Sequence, residues 1–224
     1  MAAGSGSRMG AQLPKQFLEI DGKAILQKTI EAFLEAIPDV KVITVLPADF
    51  IQYWKEYCLG RNFVYPQVLV KGGITRFHSV RNALAKVPEG ALVAVHDGVR
   101  PLVTPQFLID LFSQAENVDG LIPVLPCIDT MKVLCKNGPE LSAVSGEKAD
   151  RSRLYGAQTP QIFKSELLKE AYGQAFDDKF TDDASVMEKY GKSLSYVFGE
   201  RLNIKITTQE DLVLARAISS LREA

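Results

Sequence analysis

Apolar residues along the chain change their spacing in a regular way. Short runs rich in Val, Ile and Leu, at residues 40–46, 63–70, 91–95 and 120–124, have the length and composition of buried strands. Between them the apolar positions recur every three or four residues. Ile25, Leu26, Ile30, Phe33, Leu34 and Ile37 share one helical face, and Val80, Leu84 and Val87 repeat that spacing. Strand-length runs alternating with helical stretches predict an α/β sandwich on a mostly parallel central sheet. Thr104 before Pro105 predicts a helix N-cap with proline in the first turn. Thr207 with Glu210 has capping-box spacing ahead of Leu212, Leu214, Ala215 and Ile218.

The pattern changes from about residue 126 to residue 150. Residues 130–135 have strand character, Asn137-Gly138-Pro139 signals a turn, and residues 141–144 return antiparallel. A lone hairpin is marginal in water, so a partner subunit is a reasonable place for it. With no second composition shift, residues 1–224 are expected to form one domain carrying this β-arm.

Composition narrows the partners. The formal net charge is -1 and 24% of residues are charged, so the global charge recruits neither nucleic acid nor membrane. Any anion must be held by basic residues grouped locally. Cys58, Cys127 and Cys135 show no metal spacing and predict reduced, mostly packed thiols. His78 and His96 are too sparse for a histidine metal site, and His96 reads as structural. No apolar run has membrane-spanning length and the start lacks a signal-peptide core, so the cytoplasm is the expected location.

The candidate chemistry starts at the first residues. Ala2-Ala3-Gly4-Ser5-Gly6-Ser7-Arg8-Met9-Gly10, followed by Pro14-Lys15-Gln16, places backbone N–H groups and two cations where one anion can meet them. A triphosphate fits that arrangement. The segment is neither GxGxxG nor GxxxxGK[ST], which leaves a dinucleotide site and a P-loop as poor matches. An ordinary flexible loop is the competing reading. Glycine-rich turns in α/β proteins follow a buried strand, and here none precedes Met1, so a strand upstream of the given sequence is expected.

These blocks, with Gly72-Gly73-Ile74-Thr75-Arg76-Phe77-His78-Ser79-Val80 and His96-Asp97-Gly98-Val99-Arg100-Pro101, resemble the 2-C-methyl-D-erythritol 4-phosphate cytidylyltransferases. The likeness continues through Asp129-Thr130-Met131-Lys132, Asp150-Arg151, Thr159-Pro160-Gln161, Thr181-Asp182-Asp183-Ala184-Ser185 and Asn203-Ile204-Lys205. It covers nearly the whole chain. At Ile74 the chain departs from many members, which carry an acidic residue there.

The resemblance implies a Rossmann-like three-layer sandwich with a protruding β-arm for dimerisation. It implies CTP and a polyol phosphate as substrates, and a homodimer whose arm embraces the other subunit so that Arg151 completes the neighbour's site. Asp97 closes the apolar run 91–95 at a strand's C-terminal end, and Lys205 reads as part of a short apolar strand between Asn203 and Ile206. Arg8, Lys15, Arg151 and Lys205 are the implied catalytic residues. Ala2, Ala3, Gly4, Gly6, Gly73, Arg76, Ser79, Asp97 and Gly98 are implied to bind the nucleotide. Arg100, Thr130, Arg151, Thr159, Thr181 and Lys205 are implied to bind the polyol phosphate. Mg²⁺ is expected mainly on substrate phosphates, with no protein metal site assigned.

Three alternatives stay open from sequence. A ribitol-5-phosphate cytidylyltransferase shares the glycine loop and basic residues, and Val99 leans that way. A non-catalytic CTP-binding regulator would keep the fold without the chemistry. A glycosyltransferase would need a paired-aspartate metal motif, for which Asp182-Asp183 is a weak counterpart.

Overall fold

The computed structural model describes residues 1–4, 13–144 and 148–223. The chain enters through a tight hairpin, β1 (Glu19–Ile20) and β2 (Lys23–Ala24), turned by Asp21 and Gly22 with φ of 52° and 74°. Both central residues have positive φ, as the hairpin turn that matches strand twist requires. Helix α1 (Ile25–Ala36) follows at once and buries Ile25, Leu26, Thr29, Ile30 and Phe33, the face predicted from its spacing.

Two α/β units come next. Strand β3 (Val42–Leu46) leads through α2 (Ile51–Gly60) to β4 (Gln67–Lys71), which pairs with it in parallel. Helix α3 (Arg76–Leu84) then crosses to β5 (Leu92–Val95). Thr75 caps α3 by accepting from the His78 N–H. Helix α4 (Pro105–Ala115) opens as predicted, with Thr104 accepting from the Phe107 N–H and Pro105 in the first turn.

The rest of the chain completes the larger sheet. It contributes β6 (Gly120–Pro126), the hairpin β7 (Leu134–Asn137) and β8 (Glu140–Ala143), then β9 (Tyr155–Ala157) and β10 (Gln161–Lys164). Helices α5 (Ser165–Ala171) and α6 (Asp183–Lys189), strand β11 (Ser195–Phe198) and α7 (Gln209–Glu223) follow. The sheet runs β11-β6-β10-β5, with β9 also on β6. Successive residues on β6 and β10 face opposite layers. Ile122 and Phe163 pack with Phe77, Val80 and Leu168 under α3 and α5, whereas Leu121 and Ile162 pack with Leu111 and Ala115 of α4.

The mixed α/β class is therefore present, but the sheet is less parallel than the apolar runs suggested. Pairs β3–β4 and β6–β11 are parallel, while β10 lies antiparallel to both β5 and β6. The sequence around β10 carries no local mark of direction. Only the excursion before it reverses the chain.

Smaller corrections have local causes. The arm hairpin is shorter than predicted: Asn137 pairs with Glu140 across Gly138, at φ 62°, and Pro139. The last helix is capped one residue later than read, because Thr208 and Asp211 exchange backbone-to-side-chain hydrogen bonds of 2.8 and 3.3 Å. Residues 203–206 form no strand. Ile206 N donates to Val99 O at 2.9 Å and Asn203 N to Glu200 O at 3.1 Å, neither as part of a strand ladder. The three cysteines are free thiols, and Cys135 is exposed rather than packed.

Candidate active site

The described part of the glycine-rich segment lies across the ends of two strands. Ala2 N donates to Val45 O at 2.9 Å, and Gly98 N donates to Met1 O at 2.8 Å. Gln16 fixes the turn from below, its Nε2 donating to Ala2 O at 2.8 Å and Gly4 O at 3.3 Å. Such close approach demands small residues. A Cβ on Gly98 would stand 2.9 Å from Leu26 Cδ1 and 3.1 Å from Ala2 Cβ, and one on Gly72 would stand 2.5 Å from Ala3 Cβ. Lys15 opens the short 3₁₀ turn Lys15–Phe17 that follows. Gly6 and Arg8 lie outside the described residues.

Asp97, two residues past β5, is the centre of the charge cluster. Its carboxylate is buried, with Lys205 Nζ at 2.8 Å and Arg100 Nε at 3.6 Å from Oδ2. The first is a charge-assisted hydrogen bond; the second is too long for one and is a charge contact. Burial alone would raise the pKa of Asp97. Lys205, Arg76 and Arg100 outweigh it and hold the carboxyl well below the usual carboxylate range.

A scaffold of buried polar groups fixes this cluster. Thr159 Oγ1 accepts from Asp97 N at 3.0 Å. Asn203 donates from Nδ2 to Thr159 O at 2.9 Å, and its carbonyl accepts from Arg100 Nη1 at 2.7 Å. Burial lowers the Arg100 pKa, while Asp97 works to raise it. His96 packs edge-on against Phe33, and burial pushes its pKa down to about 3. It is a neutral packing residue, as the sequence suggests.

A second pair flanks the first. Arg76 Nη2 meets Asp183 Oδ2 at 2.5 Å, and Asp183 also accepts from the Tyr172 hydroxyl at 2.6 Å. Asp183 is 0% exposed. Its neighbour Asp182 caps α6 and accepts from Ser185 N and from Gln161 Nε2. Both carboxylates of the aspartate pair are thus taken up by protein groups, which removes the resemblance to a metal-binding aspartate pair on a strand end. Arg76, Arg100 and Lys205 against Asp97 and Asp183 leave one net positive charge, in addition to Lys15.

The predicted site residues separate into three groups. Ala2, Ala3, Gly4, Gly98, Asp97, Arg100, Thr159 and Lys205 converge through the contacts above, and Lys205 keeps 43% of its side chain exposed. Gly73 and Ser79 form the start of α3, where the Ser79 hydroxyl accepts from Gly73 N and donates to Thr75 O, both at 2.9 Å. Thr130, Arg151 and Thr181 are exposed on the excursion and on the approach to α6. Arg151 donates to Ile128 O at 2.7 Å. Ile74 is 96% exposed.

Reading the sequence gave no role to Asn203 as a brace, and it missed the Asp183–Arg76–Tyr172 group. Polar residues inside otherwise apolar stretches were the available signal. Asp183 sits beside Ala184, Val186 and Met187, all buried on the same helix.

The family model for 2-C-methyl-D-erythritol 4-phosphate cytidylyltransferase matches residues 1–221. Proteins of that name from Phocaeicola vulgatus and Bacteroides thetaiotaomicron are each 43% identical over 218 residues, covering 97% of this chain and 96% of theirs. Among solved structures, the 4-diphosphocytidyl-2C-methyl-D-erythritol synthase of Anaerococcus prevotii superposes with a TM-score of 0.77 at 27% identity, over 98% of this chain and 95% of that one. The 2-C-methyl-D-erythritol 4-phosphate cytidylyltransferase of Thermus thermophilus gives 0.70 at 29% identity, over 95% and 96%. Glycine-mediated backbone approach, a cation cluster at the strand ends and full-length likeness agree: the chain belongs to the 2-C-methyl-D-erythritol 4-phosphate cytidylyltransferase family.

Proposed function

We propose that this chain joins CTP and 2-C-methyl-D-erythritol 4-phosphate, giving 4-diphosphocytidyl-2-C-methyl-D-erythritol and pyrophosphate. The observation that carries the reading is the Lys205–Asp97–Arg100 cluster beside the Met1–Gly4 backbone. A phosphate oxygen of the polyol attacks the α-phosphorus of CTP in line. The bond to the bridging oxygen breaks and pyrophosphate leaves. Little covalent help is needed, so fixed charge does most of the work.

The residues divide accordingly. Arg8 and Lys15 meet the triphosphate, while the small residues Ala2, Ala3, Gly4 and Gly6 let its oxygens reach backbone N–H groups. Gly73, Arg76 and Ser79 shape the nucleoside side. Of the two cations in contact with Asp97, Lys205 is the one with enough exposure to touch substrate. Arg100, buried and bound to Asn203, acts through Asp97 rather than through contact. Mg²⁺, when bound, would be held mainly by the substrate phosphates and would supply charge neutralisation there. Its fit rests on Asp97 as the cluster's carboxylate, since no group of three metal-ligating side chains exists among the described residues.

Arg151, with Thr130 and Thr181, belongs to the polyol phosphate. The exposed β7–β8 arm supports a homodimer in which Arg151 serves the neighbouring site. No described helix is long and apolar enough to cross a membrane. That fits the reading of a cytoplasmic enzyme. Val99, the residue that leaned toward ribitol phosphate, is buried with Ile20, Ile25 and Leu102 and meets core rather than substrate.

The test is pyrophosphate release from CTP with each polyol phosphate, with and without Mg²⁺. Faster turnover of 2-C-methyl-D-erythritol 4-phosphate than of ribitol 5-phosphate is expected. The reverse order would overturn the substrate assignment, and CTP binding without release would point to a regulator.

A further inference from the structure

Strand β11 ends at Phe198, and its backbone bonding to β6 ends with Gly199 N, which donates to Val124 O at 2.9 Å. Lys205 lies further along a segment that forms no strand. Its ammonium nevertheless stands 2.8 Å from Asp97. In a sheet, a ladder of N–H and C=O groups would fix such a position. Here a side chain takes the place of the ladder.

Gln158 sits between β9 and β10 and is more than nine-tenths buried. Its backbone N–H donates to Pro123 O at 2.8 Å, on the edge of β6 that faces β9. Its side chain crosses to the edge that faces β11. There Nε2 donates to Glu200 O at 2.9 Å, and Oε1 accepts from Glu200 N at 3.1 Å. One amide thus exchanges two bonds with the backbone of a single residue, as paired residues of neighbouring strands do. Nε2 also donates to Asn203 O at 3.4 Å.

Gly199 keeps the space for this crossing. A Cβ there would overlap Gln158 Oε1 and stand 3.1 Å from its Cδ. The φ of Gly199 lies outside the left-handed region, so glycine supplies room at this position rather than conformational freedom.

The clamped residue is also held at its far end. Glu200 Oε2 accepts from Thr104 N at 3.0 Å and Oε1 from the Thr104 hydroxyl at 2.5 Å, at the start of α4. From there the chain turns through the bond from Asn203 N to Glu200 O, and Asn203 is fixed in turn by Thr159 and Arg100. Lys205 follows directly on this braced turn.

We infer that Gln158 is a positioning residue for the transfer reaction: by pairing with the backbone of Glu200 it sets the register of residues 199–205 and so places the Lys205 ammonium against Asp97. The kinetic side of this inference rests on the cytidylyl transfer proposed above, and the structural side does not.

Gln158→Met keeps the length of the side chain and removes both hydrogen-bonding groups. It is expected to lower kcat by about 10–10²-fold, the scale of a misplacement near 1 Å, with KM for CTP changed by less than about twofold. In a Lys205→Ala background the same substitution should lower kcat by less than about twofold further, because Gln158 acts through that ammonium. Residue-level hydrogen exchange should show the Glu200 and Ile206 amides opening at least about tenfold faster in Gln158→Met, with the amides of β6 and β10 unchanged. A loss of kcat as large in the Lys205→Ala background as in the parent would make Gln158 merely structural and overturn the inference. Unchanged exchange at Glu200 would overturn it equally. Should Gln158→Met not fold, Gly199→Ala, whose methyl displaces the same amide, is read by the same two criteria. If the parent chain releases no pyrophosphate from CTP, the proposed reaction fails, while the exchange rates still decide whether Gln158 sets the register.

Discussion

Lys205 and Asp97 are joined at 2.8 Å although 108 positions separate them, and the pair is half open: the carboxylate is buried and the ammonium stem is exposed. One partner is thus fixed and the other is available. Lys205→Ala is expected to lower kcat by about 10²–10³, the scale seen when one preorganised donor to a developing charge is lost. The same change removes a main counter-charge of Asp97. With its folded pKa depressed, Asp97 stabilises the fold above the ordinary carboxylate value, and that stability is lost as pH falls. Lys205→Ala should therefore move acid unfolding to higher pH, measured by circular dichroism. An unchanged kcat would remove Lys205 from the mechanism.

His96 has its own acid window. Its folded pKa is about 3 against an ordinary 6.5, so the unfolded chain takes up a proton that the folded chain refuses. Stability should fall as pH drops from about 6.5 towards 3, by on the order of 5 kcal/mol once the difference is complete. In His96→Gln that slope should flatten, as read from urea midpoints between pH 7 and 4. A slope equal to that of the parent would mean that His96 does not control it.

Arg76 and Asp183 set a stability prediction. Arg76→Ala leaves a fully buried carboxylate with the Tyr172 hydroxyl and little else. The expected cost is about 2–3 kcal/mol, below the range for fully buried pairs because Arg76 is partly solvated. Asp183→Asn in the same background should recover part of it. Denaturant titration of the two singles and the double measures the coupling, and strict additivity would refute a direct pair.

Gly98→Ala tests the backbone contact. The added methyl meets Leu26 Cδ1, Ala2 Cβ and Met1 O within 3.2 Å. Overpacking of this kind costs about 1–3 kcal/mol. Because the displaced groups are the start of the proposed phosphate loop, KM for CTP should rise as well. A stability loss with unchanged KM would separate the contact from nucleotide binding.

Subunit sharing can be read by mixing. Lys205→Ala and Arg151→Ala should each be nearly inactive alone. If Arg151 serves the neighbouring site, refolding them together restores activity in the mixed dimers, because one of the two sites then lacks neither residue. Activity no greater than the sum of the separate variants would place Arg151 in its own subunit's site.

What the sequence reveals differs by element. Helices α1 and α4 were legible because their apolar stripe and the Thr104-Pro105 start are local signals. The direction of β10 and the absence of a strand at 203–206 were not, since both depend on which distant edge a segment meets. The site shows the same split. Asp97 at a strand end and Lys205 in an apolar setting could be picked out, whereas the Asn203 brace and the Arg76–Asp183 pair appear only when residues about a hundred apart are brought together.

That spacing also sets an order of events in synthesis. Arg100 waits for the carbonyl of Asn203, and Asp97 for Lys205, each more than a hundred residues later. Until residue 205 has left the ribosome, the carboxylate at the end of β5 cannot find the ammonium that compensates its burial. Termination anywhere before residue 205 thus yields a chain that buries apolar surface but holds no finished charge cluster, which makes synthesis through that residue a condition for activity.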